Sequence, residues 1–229
     1  MINNFLFPRR CLGCGEEGSY FCSSCLNLIP VKSQQICPVC QKLSFGGKTH
    51  PWCVSEWGMN GLTSGFYYQG IIKKAIKKIK YRLVRDLSEE LINLFLTIIG
   101  EEKEFRHFCL ENQVILVPIP LHFSRLRWRG FNQAEVLGRL VAKNLGTDFL
   151  PDLLIRIKKT KPQADLDKKE REKNLRNAFV LNKKWQKEIK GKGIILFDDI
   201  WTTGATLKEA TKTLKRNGAR KVWGLTLAG

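Results

Sequence analysis

From residue 70 onward the apolar positions follow two rhythms. Over 70–80, GIIKKAIKKIK, the side chains of Ile72, Ile76 and Ile79 fall on one face of a helix, and lysines fill most other positions. A second helical pattern covers 87–99. Residues 114–119, VILVPI, form a continuous apolar run interrupted only by proline, the pattern of a strand buried on both faces. A loop, LHFSRLRWRGF, comes next, then a helix over 133–144. Asn132 with Glu135 three positions on reads as its capping box, and Gly146 marks its end. Another strand is expected over 153–157. The long polar stretch 158–192 separates it from the apolar run 193–197, which Asp198 and Asp199 end. Thr206 with Glu209 reads as a second capping box, opening a helix that runs to Asn217 and stops at Gly218. A last strand is expected over 221–227. Such alternation predicts an α/β fold with an open, largely parallel sheet, whose ligands bind beyond the carboxyl ends of the strands.

The first sixty residues carry a different signal. Seven of the eight cysteines fall there, as Cys11-x-x-Cys14, Cys22-x-x-Cys25, Cys37-x-x-Cys40 and His50-x-x-Cys53. Each spacing lets a tight turn aim two side chains at one tetrahedral ion, so eight ligands make two structural zinc sites. Sequential pairing gives Cys11, Cys14, Cys22 and Cys25 for one site and Cys37, Cys40, His50 and Cys53 for the other. Interleaved pairing satisfies the spacing equally. So short a segment builds little core, so metal supplies its folding energy, about 10–16 kcal/mol per structural zinc. Cys109 stands apart as a buried or idle thiol. The expected division is a double zinc module over 1–60 and an α/β domain over 61–229.

Charge adds a partner class. The 39 Lys and Arg against 21 Asp and Glu leave a net charge of +18, which favours nucleic acid, phosphorylated ligands or an acidic membrane surface. No apolar run is long enough to span a bilayer, and MINNFLFPRR lacks the layout of a signal peptide, so a cytoplasmic location is expected. Residues 156–192 hold 14 Lys and Arg against 5 Asp and Glu, half the net charge in one stretch. It reads either as a solvated linker or as a mobile flap. The lysine face of 70–80 is a solvated face or, with Trp128, Phe179 and Trp185, part of a platform for single-stranded DNA.

Against that basic background, FDDIWTTGAT over 197–206 is unusual. It places two carboxylates at a strand end, then a turn of small and hydroxyl residues, then a helix start. Backbone N–H groups and hydroxyls of Thr202, Thr203, Gly204, Ala205 and Thr206, with the helix field, suit a monophosphate. Asp198 and Asp199 repel a phosphate but accept hydrogen bonds from a vicinal diol. A diol beside a monophosphate is a ribose 5-phosphate. Trp201 shields this site, stacks on an acceptor ring, or simply packs.

IILFDDIWTTGATL resembles the ribose-phosphate signature of the type I phosphoribosyltransferases, whose ligand is 5-phosphoribosyl 1-diphosphate (PRPP) with Mg²⁺. The resemblance implies a sheet with helices on both faces, Asp198 and Asp199 at the ribose hydroxyls, and residues 202–206 around the 5-phosphate. The loop after 114–119 would then meet the diphosphate, with Arg125, Arg127, Arg129 and Gly130 as candidates. Asp198, Asp199 and Arg129 are the candidate catalytic groups. VPIPLHFSRLRWRGFNQAEVL and KPQADLDKKEREKNLRNAF, with the cysteine turns, resemble the ComF family (ComFC and GntX-like proteins) over nearly the whole chain. That resemblance implies a phosphoribosyltransferase-like domain behind a zinc module, a hood carrying Gln163, Arg171 and Asn174, and a link to DNA uptake in natural competence. Two functions follow. One is phosphoribosyl transfer to an unidentified nitrogenous acceptor. The other is binding of single-stranded DNA beside competence proteins (a DNA-uptake helicase or a recombination mediator), with the PRPP site regulatory or inactive.

Overall fold

The computed structural model describes residues 8–81, 84–160 and 173–229. Along the chain run α1 (Ser23–Leu26), β1 (Gly61–Phe66), α2 (Gly70–Tyr81), α3 (Arg85–Gly100), α4 (Lys103–Glu111), β2 (Val114–Pro118) and α5 (Phe123–Arg129). Then come α6 (Gln133–Leu145), β3 (Asp148–Phe149), β4 (Leu154–Arg156), β5 (Phe179–Leu181), β6 (Gly193–Ile200), α7 (Ala205–Arg216) and β7 (Lys221–Ala228). Five strands form one sheet in the order β1-β7-β6-β2-β3, every pairing parallel. β4 and β5 make a separate antiparallel pair.

The unbroken apolar runs are explained by burial on both faces of this sheet. Ile195 and Phe197 of β6 point into a core with Leu116, Leu225 and residues of α2, α3, α4 and α6. Their neighbours Ile194 and Leu196 point the other way, into a core with Ile115, Val117 and residues of α7 and the β4–β5 pair. On the first face Phe95 of α3 is fully buried, its ring 6.3 Å from Phe66 and 6.5 Å from Phe197.

Several expectations need correction. The strand expected over 153–157 exists, but outside the main sheet, and β5 lies within the long polar stretch. The loop after β2 contains α5, which buries none of its residues, so no apolar period betrayed it. β6 does not end at the acidic pair: Asp198 pairs with Thr226 and Ile200 with Ala228. Neither capping box forms. Asn132 sits at the start of α6 but donates its amide to the Ile119 carbonyl, 3.0 Å away. α7 is preceded by Gly204, and Glu209 accepts from the Asn177 N–H at 2.7 Å. β1 and α4 were not anticipated. β1 reads GLTSGF, and its two hydroxyl residues are fully buried. Thr63 accepts from Trp223 Nε1 at 3.0 Å and Ser64 pairs with Thr226 at 2.7 Å, which satisfies the buried polar atoms.

The cysteine-rich segment is packed against the sheet domain. Cys11, Phe21, Cys25 and Ile29 join the core of α2 and α3. Arg9 pairs with Asp86 at 2.6 Å, Lys74 donates to the Leu12 carbonyl, and Lys78 lies over the Tyr20 ring. Part of the lysine face of α2 therefore serves this contact. Gln35 bonds both the N–H and the carbonyl of Ser64 in β1. No helix among the described residues is long and apolar enough to cross a membrane.

Because Phe95 links Phe197, behind the acidic pair on β6, to Phe66 on β1, two strands away, Phe95→Ala should destabilise the domain by about 3–5 kcal/mol in urea unfolding. A loss below about 1 kcal/mol would contradict this packing.

Candidate functional site

The cleft follows from topology. β2 and β6 are neighbours, but the chain leaves β2 toward α6, on one face, and leaves β6 toward α7, on the other. Their carboxyl ends therefore part, which is the switch point where open sheets bind ligands. A cavity of about 550 Å³ opens there, lined among others by Asp198, Asp199, Thr202, Gly204, Ala205, Thr206, Arg125, Arg129 and Arg156.

On the β6 side, Trp201 is buried beneath the turn and does not line the cleft, so it packs. A Cβ at Gly204 would lie 2.1 Å from its ring, and Gly204 has φ 74°, so only glycine fits at this turn. Thr203 turns its carbonyl away from the cleft, to Gln41 Nε2 at 3.1 Å, and its hydroxyl accepts from the Ala205 N–H at 3.4 Å. Thr202, Gly204, Ala205 and Thr206 face the cavity at the start of α7, while Thr203 does not line it.

On the β2 side, α5 begins at His122, whose Nδ1 accepts from the Ser124 N–H, and ends at Gly130 with φ 82°. Helical spacing puts Arg125, Trp128 and Arg129 on the cleft side and leaves Arg127 in solvent. Gly130 terminates the helix rather than lining the site. Of the hood residues, Gln163 and Arg171 lie outside the described residues. Asn174 sits half-buried in the helical turn 173–175, away from the cleft lining.

Sequence reasoning missed Arg156. It ends β4, is 7% exposed, and lines the cleft opposite the acidic pair. Its Nη2 donates to Thr160 Oγ1 at 2.5 Å, while Arg125 Nη2 donates to the carbonyl of the same residue at 3.4 Å. Its Nε is buried without a partner among the described residues. A lone cation within the apolar run LLIRI was the available signal, and it was absorbed into the basic stretch that follows. Tyr68, Lys80, Tyr81 and Trp128 also line the cleft; the sequence marks Trp128 and the lysine face holding Lys80 for a DNA platform rather than for this site, and does not mark the tyrosines.

Electrostatics set the cleft apart. Burial and then the neighbouring Asp199 charge push the Asp198 carboxyl well above the usual range, and Arg156 only partly offsets them. Burial brings the Arg156 guanidinium down to about 10, Arg125 repels it further, and Asp198 opposes the shift. Burial also lowers Arg129, against the pull of Asp199. Arginines held this close, partly desolvated and short of acceptors, suit a multiply charged anion. The carboxyl pair beside them suits neutral hydroxyls.

The metal clusters are resolved by geometry. Cys11, Cys14, Cys22 and Cys25 bring their sulfurs within 4.8 Å of one another, and so do the ligand atoms of Cys37, Cys40, His50 and Cys53. Pairing is sequential. Tetrahedral zinc with bonds of ~2.3 Å needs ligands roughly 3.8 Å apart. The Cys14–Cys22 sulfurs lie 3.6 Å apart and Cys40 Sγ lies 3.3 Å from His50 Nδ1. His50 Nε2 is 3.0 Å from the Leu43 carbonyl, which can only accept, so the proton sits on Nε2 and Nδ1 is left for the metal. Both clusters therefore fit Zn²⁺. Cys109 packs against the core, where burial pushes its thiol up to about 12. Metal analysis should find two zinc ions per chain, and Cys14→Ser and Cys40→Ser should each leave one. Stripping both should unfold the N-terminal segment, and an unchanged melting profile after chelation would contradict a structural role.

Comparison with known proteins agrees with both halves. Residues 2–54 match the model of the double zinc ribbon domain, and residues 134–228 match that of the phosphoribosyl transferase domain. Competence protein F of Haemophilus influenzae is 29% identical, with all of both chains covered. The DNA utilization protein YhgH of Salmonella typhi is 28% identical over 88% of this chain and 86% of its own. Competence protein ComFC of Bacillus subtilis is 28% identical over 86% of this chain and 78% of its own. The chain is thus a homologue of the ComF, ComFC and YhgH proteins, a double zinc ribbon joined to a phosphoribosyl transferase domain.

Proposed function

We propose that the protein binds PRPP with Mg²⁺ in the switch-point cleft and acts as a phosphoribosyltransferase-type component of DNA uptake and use. The observation that carries this reading is one cavity holding a carboxyl pair, a glycine turn at a helix start and three arginines. The 5-phosphate would meet N–H groups of the turn at the start of α7 and the hydroxyls of Thr202 and Thr206. Asp198 and Asp199 would accept the ribose hydroxyls. Arg125, Arg129 and Arg156 would hold the diphosphate. Mg²⁺, bound with the diphosphate, would supply further neutralisation of its charge.

In transfer, the bond from ribose C1 to the diphosphate oxygen breaks and one to an acceptor nitrogen forms. Positive charge grows on the ribose ring and negative charge on the leaving group. The arginines would stabilise the second, and the acidic pair the first. The names of the relatives, competence and DNA utilization, support a role in handling incoming DNA. We assign the cytoplasm as its location and residues 61–229 as the ligand-binding unit.

A second reading has its own observation. Lys173, Arg176, Lys212 and Arg216 flank an open groove that also holds Glu209, and separately Trp128 on the cleft wall is 73% exposed. A basic groove and an exposed aromatic ring are the two kinds of feature that single-stranded DNA uses. Under this second reading the PRPP site is regulatory or inactive.

Calorimetric titration of Mg²⁺-PRPP tests the first reading. Wild type should bind, Asp198→Asn with Asp199→Asn should not, and Arg156→Lys should bind about tenfold more weakly because it loses the fork. No binding to folded, zinc-loaded wild type, together with a steeply salt-dependent affinity for single-stranded DNA, would overturn the first reading in favour of the second.

A further inference from the structure

The two zinc ribbons each contain a Cys-x-x-Cys turn followed by a residue in the left-handed conformation. In the first, Gly15 has φ 86° and donates its N–H to the Cys11 carbonyl at 2.9 Å. In the second, the equivalent residue is Gln41, with φ 63° and the same bond to the Cys37 carbonyl at 2.9 Å. A left-handed residue with a side chain is strained, and glycine would relieve it. What the side chain gains is visible. Gln41 Nε2 reaches across 162 positions of sequence to the Thr203 carbonyl, 3.1 Å away. Lys208, in the first turn of α7, reaches the same zinc turn at the Val39 carbonyl, 3.5 Å away.

The Thr203 carbonyl shares a peptide plane with the Gly204 N–H. In a trans peptide the two point in opposite directions. Fixing the carbonyl to the zinc turn therefore aims the Gly204 N–H away from that turn, on the side where Gly204 lines the cleft. We propose that Gln41 is a positioning residue: the second zinc turn clamps the Thr203–Gly204 peptide and so presets the N–H groups that receive a ligand's phosphate. The identity of that ligand rests on the function proposed above, whereas the clamp itself does not. The first zinc ribbon packs against α2 and α3 and has no such bond to this loop among the described residues.

Gln41→Gly is the informative variant, because it relieves the strained turn while deleting the clamp. It should retain two zinc ions and melt no lower than wild type. Its affinity for ribose 5-phosphate should fall roughly fivefold to tenfold, the loss expected for one hydrogen bond. Affinity for inorganic diphosphate, which the arginines would hold, should not change. Without any ligand, amide exchange over 202–206 should be faster than in wild type. Unchanged ribose 5-phosphate affinity together with unchanged exchange would overturn the proposal and leave Gln41 as a filler of the turn. Faster exchange in a protein whose wild type binds no ribose 5-phosphate would uphold the clamp and overturn the ligand instead.

Discussion

The parallel pairing of β2 with β6 is the constraint on which the remainder of the structure depends. Both strands are buried on both faces, so their apolar side chains must be covered from two sides. The two crossovers satisfy this by going opposite ways, α6 to one face and α7 to the other. Divergence at the strand ends then creates a cleft without any residue being selected for it. The sequence places its chemistry where the divergence leaves room: an acidic pair at the end of β6, a glycine turn beyond it, and arginines on the opposing wall.

Those groups are poorly stable together without a ligand. Asp198 is held near Asp199 with its carboxyl pushed toward the neutral form, and Arg156 is buried near Arg125 with one nitrogen unpartnered. Charges in such surroundings cost stability unless something pairs them. Thr160 binds both Arg125 and Arg156 and supplies a partial substitute. The zinc ribbons lie around this centre as supports. One joins the core under α2 and α3, and the other touches the glycine turn before α7 through Gln41.

How much of this could be read in the sequence depended on whether a residue's role was local. The cysteine turns, the apolar runs of β2 and β6 and the stretch around Asp198 carry their signals within a few positions, and the sheet class and the eight metal ligands followed, while the pairing of the turns needed the structure. β1 was hidden because its buried Thr63 and Ser64 find partners only on β7 and on Gln35, far away in the chain. α5 was hidden because a helix with no buried face has no apolar period. Arg156 was hidden because it reaches the cleft from a side pair of strands that periodicity placed in the main sheet. Gln41 shows no anomaly in the sequence at all; its meaning lies in a backbone angle and a partner 162 positions on.

A crystal structure of the zinc-loaded protein with Mg²⁺ and PRPP tests the central claim most directly. The account predicts the 5-phosphate among the N–H groups of 202–206, the ribose hydroxyls at Asp198 and Asp199, and the diphosphate against Arg125, Arg129 and Arg156. Density for the ligand outside this cleft, for instance along the groove of Lys173, Arg176, Lys212 and Arg216, would contradict it.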